Sequence, residues 1–354
     1  MLKENNVADS VIANARVNIP GMNTLRFVLA CWVMLVHYPV FAQLLGLTFK
    51  YEDLPNFGVL GWFYVHMVDP VPIFWALAGA VFAGAYRSCP EFSAKQFWVA
   101  RISRLYPLHV LCLLITLITH YLLAKIRLAA FPSENGFSFL ANVFLVSHWF
   151  INVDGPFNGV TWSISVELLA YVVFSILRQV RRDYITVICM LVSGIGFAVS
   201  PSSPKLSPFL CIWLFLLTNI VVTYYFVNNR RHLFLATLTF VGLSVVVSYF
   251  YSNYAILIRP VAIIMVTIAM FSRLPSWLDI QVLGDLTYAT YLCHFPILEA
   301  SVIILSVSRT NPQIVLSSPF QITYFMFVLA FSTLLLKVVE SPSRRFLMRA
   351  LSHR

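Results

Sequence analysis

Residues Asn23 to Phe41 read NTLRFVLACWVMLVHYPVF, and this stretch decides what kind of chain it belongs to. It is long and apolar enough to open a membrane span, yet it carries Arg26 near one end and His37 near the other. An ionisable side chain inside a span is costly and usually functional. Two further segments deepen the interest. TWSISVELLAYVVF, from Thr161, buries a carboxylate at Glu167, and ARISRLYPL, from Ala100, opens with Arg101 and Arg104 one helical turn apart. A base, an acid and a pair of anion-binding groups point to group transfer inside a membrane.

The rest of the chain supports that setting. Of its 354 residues 60% are hydrophobic and 11% charged, and its mean hydropathy is +0.82. Soluble domains hold roughly 45–50% apolar residues. A spanning helix takes about 20 apolar residues, and the hydropathy blocks supply about ten candidates. They fall near 24–45, 66–86, 102–123, 160–177, 184–200, 207–227, 232–251, 254–272, 284–306 and 319–339. The expected fold is therefore all-α, a polytopic membrane helix bundle. SFLANVFLVSHWFI, at 138–151, is too short to span at roughly 14 residues against about 20, and reads as re-entrant or interfacial.

The first twenty residues hold no apolar h-region, so the first span is expected to act as the insertion signal and the N-terminus to stay in the cytoplasm. With that orientation, 18 of the 24 lysines and arginines fall at cytoplasmic ends, as the positive-inside rule requires. The net charge of +10 is then mostly topology and argues against a nucleic-acid partner. The expected organisation is a cytoplasmic tail at 1–20, one transmembrane domain at 21–340 and a basic cytoplasmic tail at 341–354, with no appended soluble domain. Loops at 124–137 and 152–160 carry turn residues, and SPSSPKLSP at 200–208 is a proline-stiffened connector. The six cysteines are scattered singly, without metal-ligand spacing, and read as small core residues.

Helical rise places the chemistry. His37 stands roughly 20 Å along its helix from the cytoplasmic end, and Glu167, on a helix of opposite direction, at a height of about 21 Å in a core of about 30 Å. A carboxylate beside an imidazole orients it and stabilises its protonated form, leaving the other ring nitrogen to take a proton from a hydroxyl. The competing reading is that each group pairs with a neighbouring helix or lines a hydrated cavity. Arg101 and Arg104 share a helix face, and guanidinium forks match phosphate oxygens. Arginines at a cytoplasmic boundary also set topology and snorkel to lipid headgroups. Arg26 has the same two uses. His294, roughly 15 Å into the ninth span, follows Tyr288 and Tyr291 by six and three residues and reads either as a second substrate-facing group or as a structural histidine. His66, His109, His120 and His148 read as structural. Trp162, Ser163 and Ser165 are placed to line a sugar site or position Glu167.

Taken in order, these segments resemble the membrane-bound acyltransferase-3 family, whose bacterial members O-acylate surface polysaccharides and related acceptors. TLRFVLACWVMLVHY resembles its opening Leu-Arg…His helix, and PIFWALAGAVFAGAYR its second span, with Leu77-Ala78-Gly79 in place of the usual Leu-Ser-Gly. RISRLYPLHV matches the Arg-x-x-Arg motif through Arg101, Arg104, Tyr106 and Pro107. WSISVELLAYVVF matches Trp-Ser-x-Ser-x-Glu through Trp162, Ser163, Ser165 and Glu167. LGDLTYATYLCHFPI, with Tyr291 and His294, matches the late Leu-Gly-x-x-Ser-Tyr…His-x-Pro helix, Thr287 replacing the serine. VESPSRRFL matches the usual ending.

The resemblance implies that His37 is the catalytic group. It also implies that Arg101 and Arg104 help hold a cytoplasmic acyl-CoA such as acetyl-CoA, and that Glu167 and Trp162 lie near the acceptor; Arg26, at the foot of the helix carrying His37, is a further candidate for the donor side on its residue type. Ser165, Tyr291 and His294 are the remaining substrate-side candidates. The expectations that follow are an inner-membrane enzyme with no metal, a carbohydrate or lipid-linked sugar acceptor, membrane lipid around it, and association with polysaccharide assembly proteins. A transporter or flippase using His37 and Glu167 as a proton relay, and a non-catalytic member of an envelope assembly machine, are the rival expectations.

Overall fold

The computed structural model describes residues 19, 21–67, 69–86, 92–129, 135–149, 157–180, 183–199, 208–226, 230–250 and 256–352. Among them the chain is helical and contains no strand. The principal helices, in chain order, are α1 Met22–His37, α2 Phe57–Val65, α3 Pro70–Tyr86, α4 Ala94–Lys125, α5 Gly136–Val143, α6 Thr161–Val180 and α7 Asp183–Val199. They are followed by α8 Pro208–Val221, α9 Arg230–Phe250, α10 Arg259–Phe271, α11 Gln281–Val307, α12 Ser318–Leu335 and α13 Ser341–Ser352. Helices are the form an apolar medium imposes, because each backbone N–H and C=O is satisfied within its own segment.

Five helical stretches are long and apolar enough to cross a membrane: Met22–Leu44, Ala94–Lys125, Thr161–Val180, Ser276–Val307 and Ser318–Leu351. Counting α2 and α3 together as one broken span makes six. Four shorter apolar helices lie at Asp183–Phe197, Pro208–Tyr224, Leu235–Phe250 and Arg259–Phe271. Of the expected tail at 1–20, only Ile19 is described; residues 130–134 and 152–156 of the two turn-rich loops, and 200–207 of the connector, also lie outside the described residues. The basic segment expected as a tail at 341–354 is the helix α13, joined to α12 through a π-helical turn at Leu336–Glu340.

The short segment at 138–151 contains an eight-residue helix, α5. Asn135 and Ser138 start it with reciprocal side-chain bonds to each other's backbone N–H, at 2.9 and 2.8 Å, which is a capping box. It stops at Leu145, whose φ is +57°. Sequence patterning passed over α2, which presents Val59 and Trp62 outward. Its neighbour Asn56 donates its amide to Gln321 of α12 at 2.8 Å and accepts from Ser318 at 2.9 Å.

The chain divides into two compact units. The first holds Met1–Arg26, Val71–Ala94 and Leu169–Gln281. Its described core centres on Phe82, stacked on Tyr171 at 4.8 Å and edge-on to Phe215 at 5.2 Å. Gly79 lets α3 and α8 meet backbone to backbone: a Cβ there would collide with the Phe215 carbonyl. Asn219 of α8 donates its amide to the Gly79 carbonyl at 3.0 Å. Small residues are what close helix approach in an apolar medium requires. The second unit holds Phe27–Pro70, Lys95–Leu168 and Val282–Arg354, and with them His37, Glu167, Arg101, Arg104 and His294. Arg26 falls in the first unit.

Substituting Gly79→Val is expected to force α3 from α8 and lower stability by about 1–3 kcal/mol, the usual cost of overpacking. A thermal-unfolding scan of the detergent-solubilised protein measures it, with Gly58→Ala, where a Cβ meets nothing within 4 Å, as the control.

Candidate active site

His37 ends α1, and its ring is set by its own helix. Nδ1 lies 2.8 Å from the Val33 carbonyl oxygen, one turn back. A carbonyl only accepts, so Nδ1 carries the hydrogen and Nε2 keeps the lone pair in the neutral ring. The partner across the site is His294 of α11, with ring centroids 5.2 Å apart. Its Nδ1 donates to the Thr290 carbonyl at 3.2 Å, so its Nε2 is also a lone pair, and this atom faces His37 Nδ1 at 3.4 Å. His37 Nδ1–H is thereby shared between an oxygen and a nitrogen acceptor. Both favour a proton arriving at Nε2, because an imidazolium donates more strongly.

His294 is fully buried, and Tyr324 of α12 donates its hydroxyl to the His294 carbonyl at 2.9 Å. The next residue, Phe295, stands edge-on to His37 at 5.6 Å with planes at 89°. Tyr291, one turn before His294, is buried with its ring 6.2 Å away. Ser163 donates to the Val160 carbonyl at 3.0 Å, which leaves its oxygen to accept the Tyr291 hydroxyl at 2.5 Å. Positions 288, 291 and 294 share one face of α11 through the helical period.

Glu167 lies one turn beyond Ser163 on α6, half-buried, and acts electrostatically on Tyr288 and Tyr291. The carboxylate thus joins the tyrosine side of the site. The position at His37 Nδ1, expected for a carboxylate, is taken by Val33 and His294. Trp162 is half-buried beside His148, with rings 6.3 Å apart. Ser165 is fully buried; its hydroxyl accepts from the His148 backbone N–H at 3.1 Å and its carbonyl from Trp149 Nε1 at 2.8 Å. It ties His148 and Trp149 to α6. Burial holds the His148 imidazole below its ordinary pKa by disfavouring the charged ring.

Arg101 and Arg104 are half-buried on α4. The Arg101 guanidinium sits 5.7 Å from the Phe97 ring, a cation–π placement. Arg104 acts electrostatically on Tyr288 and on Glu340, the last residue of the π-helical turn. Glu340 is 4% exposed. Its role near Arg104 was not read from the sequence; the signal was its place in the VESPSRRFL motif. A lateral cleft of about 590 Å³ lies between Tyr106, Pro107 and Val110 of α4 and the Val339–Leu347 stretch. Its lining is apolar apart from Ser343 and Tyr106, and none of the groups around His37 lines it. Among the described residues no three His, Cys, Asp or Glu side chains converge as a metal site.

Pro296 shapes the opposite side of the site. Lacking an N–H, it leaves the Leu292 carbonyl without its i+4 donor, and Asn158, just before α6, supplies one from Nδ2 at 2.9 Å. Asn158 is fully buried. Sequence reading saw only a turn residue there.

These features define a protein that is helical throughout its described residues, with membrane-type spans and, at a helix end, a half-buried histidine facing a fully buried one. The chain belongs to the acyltransferase-3 family: the family model described as "Acyltransferase domain" matches residues 19–337. A curated relative, "Acyltransferase MdmB" of Streptomyces mycarofaciens, is 30% identical over 132 residues. That match covers 36% of this chain and 33% of the relative, about a third of each. No solved structure matches.

Replacing Asn158 with alanine is expected to strand the buried Leu292 carbonyl and lower stability by about 1–3 kcal/mol. Equilibrium unfolding in detergent measures the loss, and Asn158→Gln, which keeps the amide on a longer stem, should restore only part of it.

Proposed function

We propose that this chain is an integral-membrane O-acyltransferase that moves an acyl group, acetyl in the simplest case, from acyl-CoA to a hydroxyl of a carbohydrate or lipid-linked sugar of the cell envelope. The observation that carries the reading is the setting of His37: Nδ1–H is held by Val33 and faces His294 Nε2, so Nε2 is the basic atom. Family membership and the relative named as an acyltransferase support the reaction class.

In this reading the acceptor hydroxyl gives its proton to His37 Nε2 as its oxygen attacks the thioester carbonyl. The tetrahedral adduct collapses, the carbon–sulfur bond breaks, and the proton passes from His37 to the departing CoA thiolate. The products are an O-acyl ester and free CoA. A sugar hydroxyl is a poor nucleophile at neutral pH, and a positioned base contributes about 10²–10⁴-fold. The transient imidazolium is stabilised at Nδ1 by Val33 and His294. Glu167 adds negative potential on the tyrosine side. Trp162 and Tyr291 border the acceptor, while Ser165 and His294, both enclosed, shape that side from behind.

Arg101 and Arg104 hold the donor's phosphates through bidentate hydrogen bonds, and Glu340 keeps Arg104 from being an uncompensated charge before the donor arrives. The topology we infer has about ten spans, counting the shorter apolar helices. The bias of 18 of 24 basic residues supports a topology with both termini in the cytoplasm, and in this reading the protein works in the inner membrane, among lipid and any polysaccharide assembly proteins it serves. The transmembrane domain is 21–340, with 1–20 and 341–354 as cytoplasmic extensions.

Membranes supplied with labelled acetyl-CoA and surface glycan test the scheme. His37→Ala should lower transfer by about 10²–10⁴-fold, and full retained transfer sinks the assignment. Arg101→Lys and Arg104→Lys keep charge but lose the planar fork; each should raise the donor KM and leave the acceptor KM near the parent value.

A further inference from the structure

A buried, hydrogen-bonded histidine–glutamate pair lies outside everything assigned above. His120 of α4 donates Nε2–H to Glu299 Oε1 of α11 at 2.7 Å, and Thr119 donates its hydroxyl to Oε2 at 2.5 Å. His120 is 5% and Glu299 2% exposed. Two ionisable groups within stretches long and apolar enough to span need a reason to be there. Their level is defined by the helices. Tyr288 of α11 donates to the Leu105 carbonyl of α4 at 2.7 Å, while Glu299 meets His120, so the two helices run in the same sense. His294 lies between those two levels, and Glu299 is roughly 7.5 Å further along α11. The pair therefore lies beyond the reacting imidazole, at the end of α4 away from Arg101 and Arg104.

What rests on the pair is the segment before α6. The Phe157 ring lies nearly parallel to the His120 imidazole, with centroids 6.4 Å apart and planes at 13°, and Phe139 closes on Phe157 edge-on at 5.7 Å. Asn158 ties the same segment to Leu292. At Gly159 the backbone comes so near α11 that a Cβ would stand 2.8 Å from Phe295 Cζ. Phe295 is the ring set edge-on against His37. Packing is thus continuous from Glu299 and His120 through Phe157 and Gly159 to Phe295 and His37.

We propose that His120 and Glu299 are positioning residues: they hold the Phe157–Gly159 segment as the wall of the acceptor chamber and, through Phe295, fix the direction of the His37 Nε2 lone pair. The acceptor half of this inference rests on the transfer reading above; the hold on His37 is a property of the packing alone.

Two variants of the full chain in detergent test it. Glu299→Gln puts an NH2 group where one carboxylate oxygen accepted, so a donor faces either Thr119 or His120. Phe157→Ala keeps the pair and removes the ring that rests on it. Diethyl pyrocarbonate labelling, read peptide by peptide in a mass spectrometer, reports access to His37 without any activity, with the half-exposed His66 as internal reference. The expected result is His37 labelling faster by on the order of tenfold in both variants, with His66 unchanged. In the transfer assay the acceptor KM should rise by on the order of tenfold while the donor KM stays, since small displacements of reacting groups have effects of that size or more. An unchanged His37 labelling rate in Phe157→Ala, at the parent's melting temperature, overturns the proposal even if Glu299→Gln does not fold. If the parent itself transfers nothing, the labelling still decides whether the pair positions His37, and the transferase reading fails separately.

Discussion

A polar group inside an apolar helix bundle has no water to turn to, and the second unit of this protein is organised around that constraint. The hydrogen bond from His37 to the Val33 carbonyl is its simplest expression. A histidine at a helix end that reaches back one turn to a backbone carbonyl satisfies its own ring N–H, and in doing so selects its own tautomer. The Leu292 carbonyl, orphaned by Pro296, draws in Asn158 and brings the start of α6 against α11. Glu299, which would be intolerable alone, gathers Thr119 and His120 from α4. Each satisfied group is also a tether between helices distant in sequence.

These tethers explain why the candidate site lies where it does. Apolar packing is non-directional and leaves helices free to rotate or slide against one another. Directed bonds remove that freedom at a few levels. Tyr288 to Leu105 fixes α11 on α4 below His294, Glu299 to His120 fixes it above, and Tyr324 to the His294 carbonyl fixes α12. Between these levels the His37 and His294 rings meet with their nitrogens opposed. The two rings need little local help to meet because the surrounding helices are held in register.

The residue types of the candidate site were readable in the sequence. His37, Arg101, Arg104 and Glu167 stand out because charge in an apolar run is rare, and His294 because it follows two tyrosines on one face. What the one-dimensional reading placed differently was partnership. Equal heights in the membrane made Glu167 the natural companion of His37, but height says nothing of azimuth. The observed neighbour of His37 Nδ1 is His294, and Glu167 acts on the tyrosines. His120, read as structural, and Glu299 and Asn158, passed over as chemistry, become informative only when their partners are known. Likewise α2 is short, apolar and without a helical stripe, so periodicity offered no handle on it.

By itself the sequence determined the class of the chain: apolar runs long enough to span require helices, the basic residues distribute unequally between the runs, and the ordered motifs identify the family. It also determined which residues are too costly to be buried without purpose. Only the tertiary structure decided which of those residues face one another, which ring nitrogen of His37 is left basic, and that a second ionisable pair stands beyond it. The reason is geometric. Hydrophobicity is a property of a segment and survives any rotation of it, whereas a hydrogen bond exists only at one distance and direction, and those are set when the helices pack.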